Sequence, residues 1–581
     1  MGMMKSNSNS VMDQELFREY HHTRGMSISG GKTPERKYRF LQNMYVDYEG
    51  GGDSVESIPG FRRIYTSEGK IHSVAIQEIN KESFIIFHRD NGVYRLKHHS
   101  DKAEKIGEAL DCESRAFVFK DLCLISDGSS VYMVKGEGDL ALLCSQDFIT
   151  GCSTATVFDG RLFFSGNKDF EGKIFYSSRL DGDSIAFSKD NCISAGGEIL
   201  SLLNHNDRLW VFRSGGDGFA PITCHNKEDG YPSAVAIGGV YPTGQAISRG
   251  RDILFLATDG LWSIKTTFTN EGVSLSRLSS DIEPMLLRED LSSASLCSWC
   301  GYAVIGCGEH FYLCDNREVN SECDWYFLSG IGDYVNDRRV YRYSAMGNDE
   351  YAAHRQTDGI VKGETLSLIN ENGQTVFFTE ENGRKYSVYP TEERCGGELI
   401  APKQIISDGR LLCFASECTI LLFNNDMRGV PPREILCKKD FDEKEYKRLN
   451  GHRIHPCFYS FCGHAPSYIL ATAYDCCGLP ATEKTSIGES LCLKLKVPEK
   501  ADLNISVRTN KGKVSEQTMT ATQGKSKSYI FDESSYFLSI AERSHGWVEK
   551  QIIIEGCAFS SPFGLYSLSF KYLPKEKIKK G

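Results

Sequence analysis

Three kinds of grouping in this chain have residue types that chemistry could use. The first is pairs of acids: Asp181 and Asp183, Glu380 and Glu381, Glu392 and Glu393, all in polar, turn-like stretches. Glycoside hydrolysis needs two carboxyls held roughly 5–10 Å apart across a sugar. Near-adjacent positions do not by themselves create that geometry, so solvated turn residues are the expectation. Two aspartates also fall short of the roughly 6–8 oxygens that a calcium ion takes. The second grouping is His452, His455, Cys457, Cys462, His464, Cys476 and Cys477. These offer nitrogen and sulfur ligands, but a structural zinc site normally presents paired C-x2-4-C ligands. Cys457 and Cys462 lie in HPCFYSFCGH, which reads as strand. The expectation is no metal and no cofactor, with His452, Cys457, Cys462 and His464 as the set to check. Cys297 and Cys300 form a lone C-x2-C with no second pair at finger spacing. The third grouping is Gly25 to Thr33, close to the phosphate-binding G-x4-G-K-[ST]. An additional glycine displaces Lys32 by one place, no strand is expected before it, and Pro34 stands where a phosphate-capping helix should begin. H-E-x-x-H and G-x-S-x-G are absent. No catalytic residue is assigned, and a non-enzymatic protein is expected.

The elements that would position any of these residues are β-strands. The chain has 581 residues, 55 Gly, 16 Pro and 59 Tyr plus Phe, a mixture that favours short strands and tight turns. The net charge of −10 does not suit a protein that grips nucleic acid with a basic face. No apolar run of about 18 residues is present for a membrane span, and the first residues carry no apolar core of a secretory signal. The 21 cysteines are then expected reduced, many as small core residues.

Between residues 40 and 370 one unit recurs: an apolar strand, a glycine turn and a second apolar strand. Examples are FIIFHRDNGVYRL (84–96), LCLISDGSSVYMV (122–134), ILFLATDGLWSI (253–264) and YAVIGCGEHFYLC (302–314). The turns fall near residues 91, 127, 171, 217, 259, 308 and 358. A spacing of roughly 40–50 residues is that of propeller blades. The fold expected is all-β: a propeller of about seven four-stranded blades over 40–370, then an antiparallel, sandwich-like domain over 371–581. Trp210, Trp262, Trp299 and Trp325 read as blade-packing residues. Residues 1–39 are expected as a flexible arm with a short helix over 12–22. A second helix is expected around 440–451, capped by Asp440 and Glu443 and ended by Gly451. The last stretch, KYLPKEKIKKG, carries five Lys against one Glu. It reads as a solvated tail suited to electrostatic contact with DNA or an acidic partner.

Two segments resemble a known group. FLQNMYVDYEGGGDSVESIPGFRRIY (40–65) carries Asn43-Met44-Tyr45, an acidic, glycine-rich loop, and Pro59-Gly60-Phe61-Arg62. CGYAVIGCGEHFYLCDNREVNSECDWYFLSGIGDYV (300–335) carries a strand ending in Asp315 and a strand bearing Trp325. Both resemble phage-encoded β-propeller proteins of the neck and tail, the packaged-DNA-stabilisation or tail-accessory proteins of short-tailed phages. Segment 161–188 has the look of phage propeller blades, and 543–572 resembles the closing β-domain of phage tail proteins. The resemblance implies a virion structural protein, made in the host cytoplasm. It would form a homo-oligomeric ring against portal, adaptor or other tail proteins, around double-stranded DNA that passes without sequence-specific binding. The arm 1–32 would dock into a neighbouring ring. A carbohydrate-binding propeller for host-receptor recognition is the competing reading. A long C-terminal domain and many cysteines depart from the short-tailed pattern, leaving the tail type open.

Overall fold

The computed structural model describes residues 16–21, 23–28, 33, 36–48, 54–98, 100, 102–181, 184–215, 218–228, 230–266, 273–315, 317, 323–345, 356–359, 366–369, 375–381, 384–427, 458–496, 500–522, 535–557 and 564–575.

Strands pair locally wherever a tight turn lets them. Asn80-Lys81 and Asn206-Asp207 both hold positive φ at two successive positions, the requirement of a type I′ turn, and each joins the first two strands of a blade. Blade 1 comprises Ile71–Ile79, Glu82–Arg89, Gly92–Lys97 and Ala103–Glu108. Blade 2 comprises Arg115–Phe119, Leu122–Ser126, Val131–Lys135 and Ala141–Cys144. Blades 3, 4 and 5 begin at Thr154–Phe158, Ile199–His205 and Pro242–Arg249, each a four-stranded antiparallel meander. Blade 6 runs from Ser295–Trp299 to Asp324–Leu328. The first six hairpins expected from sequence are the turns between second and third strands of these blades.

The seventh blade departs from expectation. It does not come from residues 351–363, where Gln356–Gly359 belongs to a separate five-stranded sheet inserted after blade 6. Its strands are Gln404–Ser407, Leu412–Ala415 and Thr419–Phe423, and its outer strand is Phe61–Thr66 from near the other end of the chain. The innermost strands of all seven blades pack side by side in order, and that of blade 7 meets that of blade 1. The result is a seven-bladed propeller spanning 61–423, rather than 40–370. Closing it buries apolar faces between successive sheets. Ile71, Val74 and Phe87 of blade 1 meet Leu411, Cys413 and Ile420 of blade 7 in one buried cluster, and similar clusters fill the other gaps. Central strands such as Leu122–Ser126 and Tyr302–Cys307 are therefore buried at every position, while the outer Ala141–Cys144 exposes Ala141 and Leu142.

The C-terminal region forms two facing antiparallel sheets, as the alternation in SLCLKLKV predicts. One contains Lys484–Lys496, Ser535–Ile540 and Gly564–Pro574, joined by Met44–Val46 and Val55–Ser57. The other contains Ser467–Ala471, Lys550–Cys557, Lys500–Thr509 and Gly512–Thr522. Leu491, Leu493, Leu495, Ile505, Val507, Ile552, Ile554 and Phe570 fill the space between them. This second sheet does not end at the sandwich. Phe40–Gln42 pairs antiparallel with Ser467–Ala471 on one side and parallel with blade 6 on the other, through Gln42 and Phe327. A single nine-stranded sheet thus joins propeller and sandwich.

Of the segment expected as a flexible arm over 1–39, described residues are tied down. Leu16–His21 is a strand, not part of a helix, because it pairs along Gly564–Pro574 and long-range pairing overrides local helix preference. Arg18 and Tyr20 both donate to Asp475, Met26 is fully buried, and Lys37 is buried against Asp281. The strand also precedes the glycine motif, contrary to expectation, but Gly25 then sits against Asp324 of blade 6 and no helix follows among the described residues. Lys32 and the helix expected at 440–451 lie outside the described residues.

Candidate functional site

The hub of the wheel is a channel of about 620 Å³. All seven innermost strands contribute to its wall, chiefly Ser, Thr, Asn, Gln and small apolar residues, with Arg115 and Lys403 as its charged members. No carboxylate is among the lining residues, so the two acids that glycoside hydrolysis requires do not meet there.

The polar residues of the hub have a structural task. Innermost strands of adjacent blades do not pair with each other, which leaves edge N–H and C=O groups that must find partners once buried. Side chains from the next blade supply them. Gln404 of blade 7 accepts from the Val74 N–H at 2.9 Å and donates to the His72 carbonyl at 2.7 Å in blade 1. Thr154 Oγ1 accepts from the Leu202 N–H at 2.9 Å, joining blade 3 to blade 4. Ser201 Oγ accepts from the Ala246 N–H at 3.2 Å, joining blade 4 to blade 5. Replacing Gln404 with leucine should cost about 1–3 kcal/mol, because two backbone groups lose their partners. An unchanged denaturation midpoint for that variant would show the stitches to be idle.

At one mouth of the channel lies a more chemical grouping. His88 Nδ1 is 2.9 Å from Ser114 Oγ, Ser114 Oγ is 2.6 Å from Ser73 Oγ, and His72 Nε2 is 2.9 Å from Asp111. The two imidazoles lie 4.8 Å apart. A serine–histidine–acid relay requires the acid on the same imidazole that contacts the serine. Here Asp111 reaches His72 instead, His88 Nε2 has no hydrogen-bond partner among the described residues, and His88 is wholly buried. The grouping locks blade 1 to blade 2. Burial, with the neighbouring His72, lowers the His88 pKa below its ordinary value. Burial likewise lowers His205, His225 and His464. A histidine titrating lower when folded than when unfolded binds fewer protons in the native state, so stability is lost as pH falls below about 6.5. The melting temperature should therefore drop from pH 7.5 to pH 5.5; an equal or higher value at pH 5.5 would contradict this.

The other sequence candidates are scattered. Asp181 sits exposed in a blade 3 turn, while Asp183 and the side chains of Glu380, Glu381, Glu392 and Glu393 lie outside the described residues. His452, His455 and Cys457 also lie outside them. Cys462 is buried, which pushes its thiol far up, and His464 contacts Asp337 at 3.2 Å. Among the described residues no three His, Cys, Asp or Glu side chains gather around one point. Trp210, Trp299 and Trp325 are buried in blades, and the half-buried Trp262 donates to Asp259.

Sequence reasoning missed the clasp that closes the wheel. Arg62 makes a two-pronged contact with Asp426, at 2.9 and 2.8 Å, and Arg63 reaches Asp333 at 2.6 Å. Phe61 stacks on Phe461 and meets Phe414 edge-on. The Pro59-Gly60-Phe61-Arg62 motif was visible, but its partners lie far along the chain.

No family model matches the sequence, and no curated protein matches it. Among solved structures, the AfRom2 CNH domain shares 9% identity at a TM-score of 0.33, covering 57% of this chain and 99% of that one. The propeller domain of Cps50 (Swd1) from Myceliophteria thermophila shares 10% at 0.33, over 57% and 100%. BamB from Moraxella catarrhalis shares 10% at 0.30, over 59% and 93%. At these TM-scores the likeness carries no argument. The chain is an all-β protein built on a β-propeller, and the strand order described above carries that conclusion.

Proposed function

We propose that the chain is a non-enzymatic structural component of a phage neck or tail. Copies of it would form or extend a ring around the DNA channel and hold packaged DNA in the head. The observation that carries this reading is the nine-stranded sheet that welds propeller to sandwich. A component that transmits force between neighbours needs domains that cannot hinge. One of the segments that resemble the phage group, 40–65, falls at structural joints: Met44 and Tyr45 in a sandwich strand, Gly60 to Arg62 in the ring clasp. The hub's polar residues bond between blades, and no acid is among the described residues that line it. The acidic chain is compatible with DNA that slides past, because every neutralised phosphate would add affinity and slow passage. Portal, adaptor or other tail proteins are the expected neighbours, and the virion the expected location.

Disrupting the gene in its parent phage should give heads that package DNA and then release it to added nuclease. Purified protein should restore retention. Full DNA retention in the disrupted particles would overturn the proposal.

The carbohydrate-binding reading has one observation on its side. Phe219 and Tyr241 are 55% and 49% exposed, and each ring lies against a glycine, Gly196 and Gly215. Rigidly backed aromatic rings suit sugar stacking. Binding on a glycan array that is lost in Phe219→Ala with Tyr241→Ala would favour it.

A further inference from the structure

Three parts of the fold meet at one small cavity. Trp299 ends Ser295–Trp299, the innermost strand of blade 6. Asn425 follows Thr419–Phe423 of blade 7 and stands between Asn424 and Asp426, both of which hold Arg62 in the clasp. Asp47 follows Met44–Val46, a strand of the sandwich. All three side chains line a cavity of about 10 Å³, and tyrosines and Cys300 make up the rest of its wall. Arg317 lies over that wall. Its guanidinium is 3.6 Å from the ring centre of Tyr48 and 4.5 Å from that of Tyr302, and it donates to the Cys300 carbonyl at 3.2 Å.

Two polar atoms of these residues have no hydrogen-bond partner among the described residues: Nε1 of Trp299 and Oδ1 of Asn425. The residues are 1% and 8% exposed, so bulk solvent does not serve them. Buried polar atoms are costly to leave unpaired. Their roles are fixed by their surroundings. Asn425 Nδ2 donates to the Arg410 carbonyl at 2.9 Å and lies 3.5 Å from Cys300 Sγ, which sets the nitrogen end of the amide and leaves Oδ1 as the acceptor. The Trp299 indole is held by stacking on Tyr45 and by contact with Phe423. An indole N–H can only donate and an amide oxygen can only accept. A single occupant that satisfies both must accept one hydrogen bond and donate another. A metal or ammonium ion cannot accept, and a halide cannot donate. Size excludes an organic hydroxyl compound, since the volume is roughly what one water molecule needs. Water also has a second hydrogen to give, and the Asp47 carboxylate in the same wall is an acceptor for it. About three hydrogen bonds is the usual number for an internal water.

We propose that this cavity is a binding site for one internal water molecule, which joins blade 6, blade 7 and the sandwich where the clasp closes the wheel. The inference does not depend on the ring reading above. A crystal structure of the full chain, at a resolution that shows ordered water, tests it directly. One density peak should lie roughly 2.7–3.2 Å from both Trp299 Nε1 and Asn425 Oδ1. In solution, the full chain with isotope-labelled tryptophan should show magnetisation transfer between the Trp299 indole proton and a long-lived water; the signal is identified by its loss in Trp299→Phe. Trp299→Phe combined with Asn425→Leu removes donor and acceptor together and should lose the density peak, with a melting curve to confirm that the variant folds. The absence of a peak in the unaltered chain, a peak that reaches only one of the two atoms, or an indole proton with no transfer to water would overturn the proposal. A peak that persists in the double variant would overturn it as well, because neither atom would then be holding the water. If the double variant does not fold, the two measurements on the unaltered chain decide.

Discussion

Phe61→Ala should destabilise the protein by about 3–5 kcal/mol, the cost of emptying a fully buried aromatic site. The effect is large because of where the residue sits. Phe61 is completely buried and contacts Phe414, Phe423 and Phe461, so its ring joins the clasp strand to blade 7 and to the segment that follows. Gly60→Ala tests the same joint from the opposite side. A methyl group there would come within 2.0 Å of the Ser460 carbonyl oxygen, a backbone atom that cannot rotate away. The Gly60 N–H also donates to the Phe458 carbonyl at 2.7 Å, and its own carbonyl accepts from Asn424. Both variants should lose the clasp together, and limited proteolysis should then cut between the clasp and blade 1. A cost below about 1 kcal/mol in both, read from urea midpoints, would mean that the wheel holds without its clasp.

Lys550→Ala should cost a similar amount, about 3–5 kcal/mol, for an electrostatic reason. Lys550 and Glu542 are paired at 2.6 Å with side chains 1% and 2% exposed, inside the sandwich. Lys550 also donates to Ser486 and lies 4.4 Å from the centre of the buried Trp547 ring. Burial pulls the Lys550 pKa down even though Glu542 opposes the shift, and Lys550 holds the Glu542 carboxyl below its ordinary value against burial. Removing the lysine leaves a buried carboxylate with no cation to answer it. Lys550→Met combined with Glu542→Leu should recover most of the loss, since a well-filled apolar pair can replace a buried ion pair. If the single substitution were as mild as the double, the pair would have no role in holding the two sheets.

Six of the seven blades were legible because each carries its own signal. A glycine or Asp/Asn turn between two apolar runs folds locally, and its residues are contiguous. Blade 7 was not legible for the opposite reason. LLCFASECTILLF reads plainly as two strands, yet nothing near it indicates that Phe61–Thr66 will be its neighbour. The five-stranded insertion further breaks the spacing, so a turn-like stretch at 351–363 stood in for the true seventh hairpin. The strand Leu16–His21 failed in the same way, since its partner Gly564–Pro574 lies at the far end of the chain. The sandwich was legible from alternation, because Leu491, Leu493 and Leu495 point to one side and are buried there. Its weld to blade 6 rests on three residues, Phe40–Gln42, too short a run to stand out. At the hub, Gln404 and Thr154 look like ordinary polar residues in a strand. Their value comes from a neighbouring blade that sequence does not place.

The most direct test of the account is single-particle imaging of the purified full chain over a range of concentrations. The account predicts closed rings of several copies around an open centre, each copy a seven-spoked wheel with one appendage at its rim. Solitary wheels at every concentration, with neither ring nor partial arc, would contradict it.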